Sequence, residues 1–176
     1  MTREYLFAGF GGQGLLFSGK VLANKALIED KHVSWLPSYG PEMRGGTANC
    51  SVIISDNPVA APLIANPDVL VAMNLPSLDK YESTVKPGGI IIVDSTLIER
   101  KVERTDVDVY YIPATSMAGE MGASTLANMI LTGKLLEVLD DYNEENVLNA
   151  LGKCISQRHR DLLDLNKKAM DLGRNS

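Results

Sequence analysis

Residues 7–14 read FAGFGGQG, and Gly9, Gly11 and Gly14 satisfy the spacing G-x-G-x-x-G. Glycines at that spacing permit a tight turn and a close approach of backbone to ligand, while free N–H groups at the start of a following helix attract an anion. Gly11, Gly12, Gln13 and Gly14 are therefore candidates for holding a phosphate or carboxylate through the main chain. The context suits the motif. The apolar EYLFAG precedes it as a strand, and QGLLFSGKVLANKALIED follows with Leu15, Leu16, Val21, Leu22, Leu27 and Ile28 mostly at helical spacing. A dinucleotide site also needs an acidic residue at the end of the second strand, about 20 residues on, to hold a ribose hydroxyl. Here that strand ends in WLPSYG, and Glu29 and Asp30 stand before it. The fingerprint is incomplete, and the glycines alone leave two readings open: a ligand loop, or a tight turn that serves helix packing.

A second dense signal is SYGPEMRGGTANCSV. Arg44 sits in a turn backed by Gly45 and Gly46, which would hold its guanidinium on a rigid support near the carboxy-terminal side of a sheet, where α/β proteins bind ligands. Glu42 is placed to orient it by an ion pair, and Ser38 and Tyr39 stand at the entry to the turn. The plain alternative is a surface turn in which Arg44 only pairs with Glu42. No other catalytic set is visible. His32 falls at a strand start and His159 on a polar helix, without G-x-S-x-G, H-E-x-x-H or a P-loop. Cys50 and Cys154 are far apart with no C-x-x-C spacing, which argues against zinc or iron–sulfur ligation by this chain and for small buried or half-buried residues.

The elements that must carry these loops follow from pattern. KHVSWLPS and TANCSVIIS read as strands, and YGPEMRGG between them is too short for the helical crossover that a parallel pair requires, so they run antiparallel. NPDVLVAMN reads as a buried strand, LPSLDKYEST as a short helix, KPGGIIIVDS as a Gly turn into another buried strand, and DVDVYYIPA as one more. From residue 114 onward the chain turns helical through ATSMAGEMG, ASTLANMILTGKLLEVL, NEENVLNALGKCI and QRHRDLLDLNKKAMDLG, with Tyr142 or Asn143 opening the third of these. The predicted class is α/β: a Rossmann-like three-layer α/β/α sandwich with a mixed, mostly parallel sheet and a helical carboxy-terminal third, in a single domain over residues 1–176.

Composition narrows the function. Hydrophobic residues make up 45% and charged residues 22% of the 176, and no stretch reaches the roughly 20 apolar residues that span a membrane. The start, MTREYLFAGF, lacks the pattern of a secretory signal, so the expected compartment is the cytoplasm. Net charge is −5 and the one basic cluster is QRHR, read as a solvated helix face, which argues against nucleic acid.

Taken together, AGFGGQGLLFSGKVLA, SYGPEMRGGTANCSVIIS and PDVLVAMN resemble the gamma subunit of 2-oxoacid:ferredoxin (acceptor) oxidoreductases. The pyruvate, 2-oxoglutarate, 2-ketoisovalerate and indolepyruvate enzymes share this subunit or domain. The likeness extends through GGIIIVDS, IPAT, LANMILTG and LNKKAMDLG, nearly the whole chain. Its specific part is the pairing of G-F-G-G-Q-G with S-Y-G-P-E-x-R-G-G. The resemblance implies a subunit of an enzyme that decarboxylates a 2-oxoacid oxidatively and passes the acyl group to coenzyme A. Thiamine diphosphate, Mg and iron–sulfur clusters would sit on alpha and beta subunits, and a delta subunit where one exists, with electrons leaving to ferredoxin through the complex.

This chain has no G-D-G…N thiamine motif and no cluster cysteines, so it is expected to hold no cofactor alone and to be inactive alone, with a homodimer open to the isolated chain. Asn128 matches a recurring Asn-Met of the family, and stands either as a satisfied core polar group or as a ligand contact. Thr132 and Lys134 in LTGKLLEV depart from the family pattern by adding polarity. PEMRGG leans toward the 2-oxoglutarate or branched-chain kind over indolepyruvate. Two other readings stay open: a free-standing Rossmann-like nucleotide-binding module, and a subunit that only holds a complex together.

Overall fold

Strand β1, Thr2–Phe10, buries every side chain from Tyr5 to Ala8, as a strand covered on both faces must. It stands in the middle of a six-stranded sheet ordered β2-β3-β1-β4-β5-β6, where β2 is His32–Tyr39, β3 Thr47–Ser55, β4 Val69–Ala72, β5 Ile90–Asp94 and β6 Asp108–Ile112. The computed structural model describes residues 1–39 and 47–176. β1, β4, β5 and β6 pair in parallel, and β3 runs antiparallel to both β1 and β2. The mixed, mostly parallel sheet and the antiparallel β2–β3 pair are as the sequence predicts.

Register sorts the side chains onto two faces. Tyr5 and Phe7 of β1, Val69 and Val71 of β4, and Ile92 of β5 enter one cluster; Leu6 and Ala8, Leu70 and Ala72, and Ile91 and Val93 enter the other. Each large side chain buried in this way, such as Phe7 at 1% exposure, contributes about 2–3 kcal/mol. The first face is covered by α1 (Leu15–Ile28), α3 (Ala114–Glu120), α4 (Ala127–Val138), α5 (Glu144–Cys154) and α6 (Arg160–Arg174). The second has only α2 (Leu75–Tyr81), the 3₁₀ turn Glu82–Thr84 and the irregular stretch from residue 95 to 107. The two faces are thus covered unequally, five helices on the side of the first, with α6 outside α4, and a single short helix with loops on the second.

Helix α4 is apolar nearly all round because it lies between the sheet and α6. Thr132 is buried there with its hydroxyl donating to the Asn128 carbonyl at 2.8 Å, and Lys134 reaches out to Glu137 at 3.0 Å. α6 crosses α4 at Gly133 and Gly173. A Cβ on Gly133 would fall inside the backbone of Met170, and one on Gly173 inside that of Ile130, so the two main chains meet without side chains between them. Asn143 caps α5 by accepting from the Asn146 N–H at 3.0 Å, ahead of Glu144 and Glu145 in the first turn.

The amino-terminal end of the sheet is tied by ions. Lys25, only 1% exposed, lies between the carboxy-terminal ends of α1 and α4, with its Nζ 2.7 Å from Glu29 and 2.9 Å from Asp141. Both helix dipoles favour a cation there. Asn146 of α5 donates to the same Glu29 oxygen at 2.8 Å. Lys86 bridges Glu4 at 2.7 Å and Asp68 at 3.1 Å, and Asp56 pairs with Lys31 and the terminal ammonium. The hydrogen bond from Lys31, with help from the ammonium, holds the Asp56 carboxyl down at about 2. Between Lys25, Glu29 and Asp141 on one side and Lys31 and Asp56 on the other runs a cleft of about 220 Å³, where burial pushes the Tyr5 phenol up to about 12. No helix among the described residues is long and apolar enough to cross a membrane.

Candidate functional site

β1 hands over to α1 on the first face, while its parallel neighbour β4 hands over to α2 on the second. The carboxy-terminal ends of β1 and β4 therefore flank the crevice at which crossovers diverge, the place where open α/β sheets take ligands. The Gly-rich loop occupies this crevice, and its geometry is set by two carboxamides.

The first is Gln13. Its Oε1 accepts from the Phe10 N–H at 2.6 Å and its Nε2 donates to the Met73 carbonyl at 3.0 Å, so one side chain staples the end of β1 to the end of β4. Gly9 makes room for it, since a Cβ there would collide with Gln13 Oε1. The second is Asn128, 4% exposed at the start of α4, whose Nδ2 donates to the Gly14 carbonyl at 3.0 Å. Gly14 has φ 78°, a left-handed conformation, and a Cβ would sit 2.5 Å from Asn128 Nδ2, so both backbone and neighbour require glycine. The Asn128 carbonyl also accepts from Ser18 Oγ at 3.3 Å, tying α4 to α1.

Helix α1 begins directly after Gly14 with no side chain capping it and no acidic residue in its first turn. Ser18 N–H bonds to the Gly14 carbonyl at 3.1 Å, and the three N–H groups ahead of it have no partner within the helix. Those donors point toward the crevice end of the helix and carry its positive dipole.

Asn128 belongs half to each of its two sequence readings. Its Nδ2 is spent on Gly14, but its Oδ1 is buried without a hydrogen-bond partner. Two further groups at this edge share that state, Asn74 Nδ2 and Ser77 Oγ. Asn74 caps α2, accepting from Ser77 N–H at 2.8 Å. The sequence carried the signal for it, Asn followed by Leu-Pro at a strand-to-helix boundary, yet only the boundary was read and not the cap. Asp94 was missed as well. It ends β5 fully buried, with Oδ2 2.6 Å from Thr115 Oγ1 and Oδ1 accepting from the Thr96 and Thr115 N–H groups.

Of the second loop, Glu42, Arg44, Gly45 and Gly46 lie outside the described residues. Its flanks are clear. Tyr39 ends β2 opposite Ala48, and Thr47 pairs with Phe10, so β3 begins beside the Gly-rich loop. Ser38 pairs with Asn49 and is exposed on the thinner face, in a groove of about 320 Å³ with Leu36 and Tyr81. It stands two strands away from β1 and apart from the Gly-rich loop.

Among the described residues no group of three or more His, Cys, Asp or Glu is placed to hold a metal. Cys50 is buried on β3, its thiol pushed up to about 12 by burial, and Cys154 is half-buried at the end of α5, so the pair does not fit an iron–sulfur cluster. His32 begins β2 and His159 ends the 3₁₀ turn Gln157–His159 ahead of α6, one position short of the helix on which it was expected; both are exposed. The described groups at the crevice are amides, hydroxyls and backbone donors, suited to holding and orienting a ligand.

Relatives place this architecture. Ketoisovalerate oxidoreductase subunit VorA of Methanothermobacter marburgensis is 38% identical over 167 residues, covering 94% of this chain, and the chain spans only 34% of the length of VorA. 2-Oxoglutarate synthase subunit KorC of Methanocaldococcus jannaschii is 36% identical over 154 residues, 86% of this chain and 82% of KorC. The crystal structure of a keto/oxoacid ferredoxin oxidoreductase gamma subunit from Geobacter sulfurreducens superposes with a TM-score of 0.83 at 30% identity, covering 98% of this chain and 96% of that one. Residues 4–176 match the model of a family described as pyruvate ferredoxin/flavodoxin oxidoreductase, and the chain belongs to that family.

Proposed function

We propose that this chain, acting as a single domain over residues 1–176, is the gamma subunit of a cytoplasmic 2-oxoacid:ferredoxin oxidoreductase. The complex would convert a 2-oxoacid to its acyl-coenzyme A, with thiamine diphosphate, Mg and iron–sulfur clusters on alpha and beta subunits, a delta subunit where one exists, and ferredoxin as acceptor. The names of VorA and KorC support a branched-chain or 2-oxoglutarate type.

The observation that carries the reading is the uncapped start of α1 at the edge of the sheet where β1 ends and β3 begins. Gly11, Gly12, Gln13 and Gly14 lead into backbone donors fit for an anionic group such as a coenzyme A phosphate. From the sequence, with Glu42 before it and Gly45 and Gly46 after it, Arg44 is proposed as a contact for the same ligand or for the neighbouring subunits. The chemistry then belongs to the cofactors, and this chain closes and orients one wall of the site. Gln13 weighs against a free-standing dinucleotide module, because its carboxamide already fills the space between β1 and β4.

The test is purification of the tagged chain from its native cells, with mass spectrometry and a viologen reduction assay dependent on 2-oxoacid and coenzyme A. Larger thiamine- and cluster-bearing partners with activity are expected; an inactive chain recovered alone would refute the reading. Within the active complex, Arg44→Ala should raise the KM for coenzyme A or weaken assembly.

A further inference from the structure

The cleft of about 220 Å³ at the amino-terminal end of the sheet is lined by acids and bases that mostly satisfy one another. Lys25 is held by Glu29 and Asp141, and Lys31 by Asp56. Two charged side chains on its wall remain, Arg3 and Asp140, one of each sign. Neither has an ion-pair partner among the described residues, and they are not paired with each other.

Asp140 stands where a carboxylate is least at home. It lies just beyond α4, at the negative end of that helix's dipole, where a cation is the favoured group. Its backbone is left-handed, φ 52°, at the position after a helix that glycine usually fills. Its N–H and that of Asp141 close the helix on the carbonyls of Glu137 and Leu136, at 2.9 and 2.8 Å, so the carboxylate is carried on a hydrogen-bonded turn. Arg3 and Tyr5, alternate residues of β1, project from the same face of the sheet. Burial keeps the Tyr5 phenol neutral against the opposing pull of the Arg3 guanidinium beside it, so its hydroxyl is a donor. The remaining wall is largely apolar, from Leu22 and Ala26 of α1, Ile54 of β3 and Leu139.

We infer that this cleft is a binding site for a small apolar α-amino acid, with the carboxylate taken by Arg3 and the Tyr5 hydroxyl, the ammonium by Asp140 at the end of α4, and the side chain by Leu22, Ile54 and Leu139. A simple anion would leave Asp140 without a partner, and a simple cation would leave Arg3 without one. A zwitterion satisfies both and brings no net charge into the cleft. The volume points the same way, since it falls below the roughly 300–1,000 Å³ of pockets that take drug-sized ligands. The site lies at the end of the sheet opposite the Gly-rich loop, so the inference goes beyond the function proposed above and does not rest on it.

The test titrates L-valine into the full chain by isothermal titration calorimetry, alongside isovalerate, which lacks the ammonium, and isobutylamine, which lacks the carboxylate. Valine should bind, with each of the other two weaker by at least about tenfold, the scale of one charged hydrogen bond. Arg3→Gln and Asp140→Asn should each weaken valine by a similar factor. Neither residue is in an ion pair and Asn tolerates left-handed backbone, so the unliganded variants should keep the wild-type melting temperature. The comparison of the three ligands uses the unaltered chain and so stands whatever the variants do. Isovalerate or isobutylamine binding as tightly as valine, valine binding unchanged in both variants, or no binding of valine up to about 10 mM would each overturn the inference. None of these outcomes bears on the recovery of partners and activity that tests the proposed function.

Discussion

At the amino-terminal end of the sheet the polar side chains work as ions in pairs, whereas at the carboxy-terminal end the bonds run between carboxamides, hydroxyls and main chain, with the buried Asp94 carboxylate held by Thr115 and N–H groups and no cation. Lys25 between two helix ends, Lys86 between Glu4 and Asp68, and Asp56 with Lys31 neutralise one another locally. Their geometry is forgiving, and within these pairs no charge is left over. Gln13, Asn74 and Asn128 make directional bonds that fix atoms in place, and three buried polar atoms at that end have no partner. A buried polar atom without a partner costs about 1–3 kcal/mol, so a fold carries several in one place only where the rest of the structure supports them. One end is built to be stable and the other to be shaped, and substitutions should separate the two.

The largest expected effect is at the shaped end. Gly14→Ala places a side chain in left-handed backbone and against Asn128, and should cost about 3 kcal/mol of stability by urea denaturation, combining the conformational penalty with overpacking. Next comes the ionic end. Lys25→Met keeps the packed stem and strips the charge from Glu29 and Asp141, which are part-exposed and regain water; a loss of about 2 kcal/mol is expected, with the coenzyme A KM of the assembled enzyme unmoved. Gln13→Ala should cost about 1 kcal/mol in stability and raise the coenzyme A KM by a larger factor, reversing the ranking of the two ends when function is the readout. Equal effects of Lys25→Met and Gln13→Ala on that KM would erase the distinction.

The smallest effect is a pH dependence. The Asp56 carboxyl is held at about 2, below its ordinary 3.8, so its contribution is complete above about pH 4 and disappears as pH falls through 2. The difference in melting temperature between wild type and Asp56→Asn should therefore be small and positive near pH 5, shrink toward pH 2, and shrink also in about 1 M salt. The Gln13→Ala difference should respond to neither.

The fold was legible wherever periodicity and punctuation agreed. TANCSVIIS matched its strand bounds, the short Gly- and Pro-rich connector required β2 and β3 to be antiparallel, and a helix start at Tyr142 or Asn143 was visible before two glutamates, with Asn143 proving to be the cap. The disparity between the coverings of the two faces was not legible, because pattern shows that a strand is buried on both sides without showing what covers each side. The same limit applied at the site. Gly9 and Gly14 could be placed at a strand-to-helix turn, yet the reasons they must be glycine, Gln13 folding back and Asn128 arriving from 114 residues downstream, are tertiary. Asn128 was singled out through family likeness; its apolar surroundings alone gave no direction to its two ends. Asp94 escaped notice because a strand-terminal Asp before Ser-Thr looks like a turn residue until Thr115 is found against it.

The α4–α6 crossing has a consequence for motion. With Gly133 and Gly173 letting one backbone rest on the other, α6 cannot lift without carrying α4, and α4 cannot shift without pulling on Gly14 through Asn128. The amides of α4, α6 and the central strands should consequently exchange with deuterium as one slow cooperative unit, with the first turn of α1 mounted on it as on a stiff bracket. Such a mounting would let a loop of glycines keep a fixed position, and it moves the origin of that stiffness to two helices that lie outside the crevice.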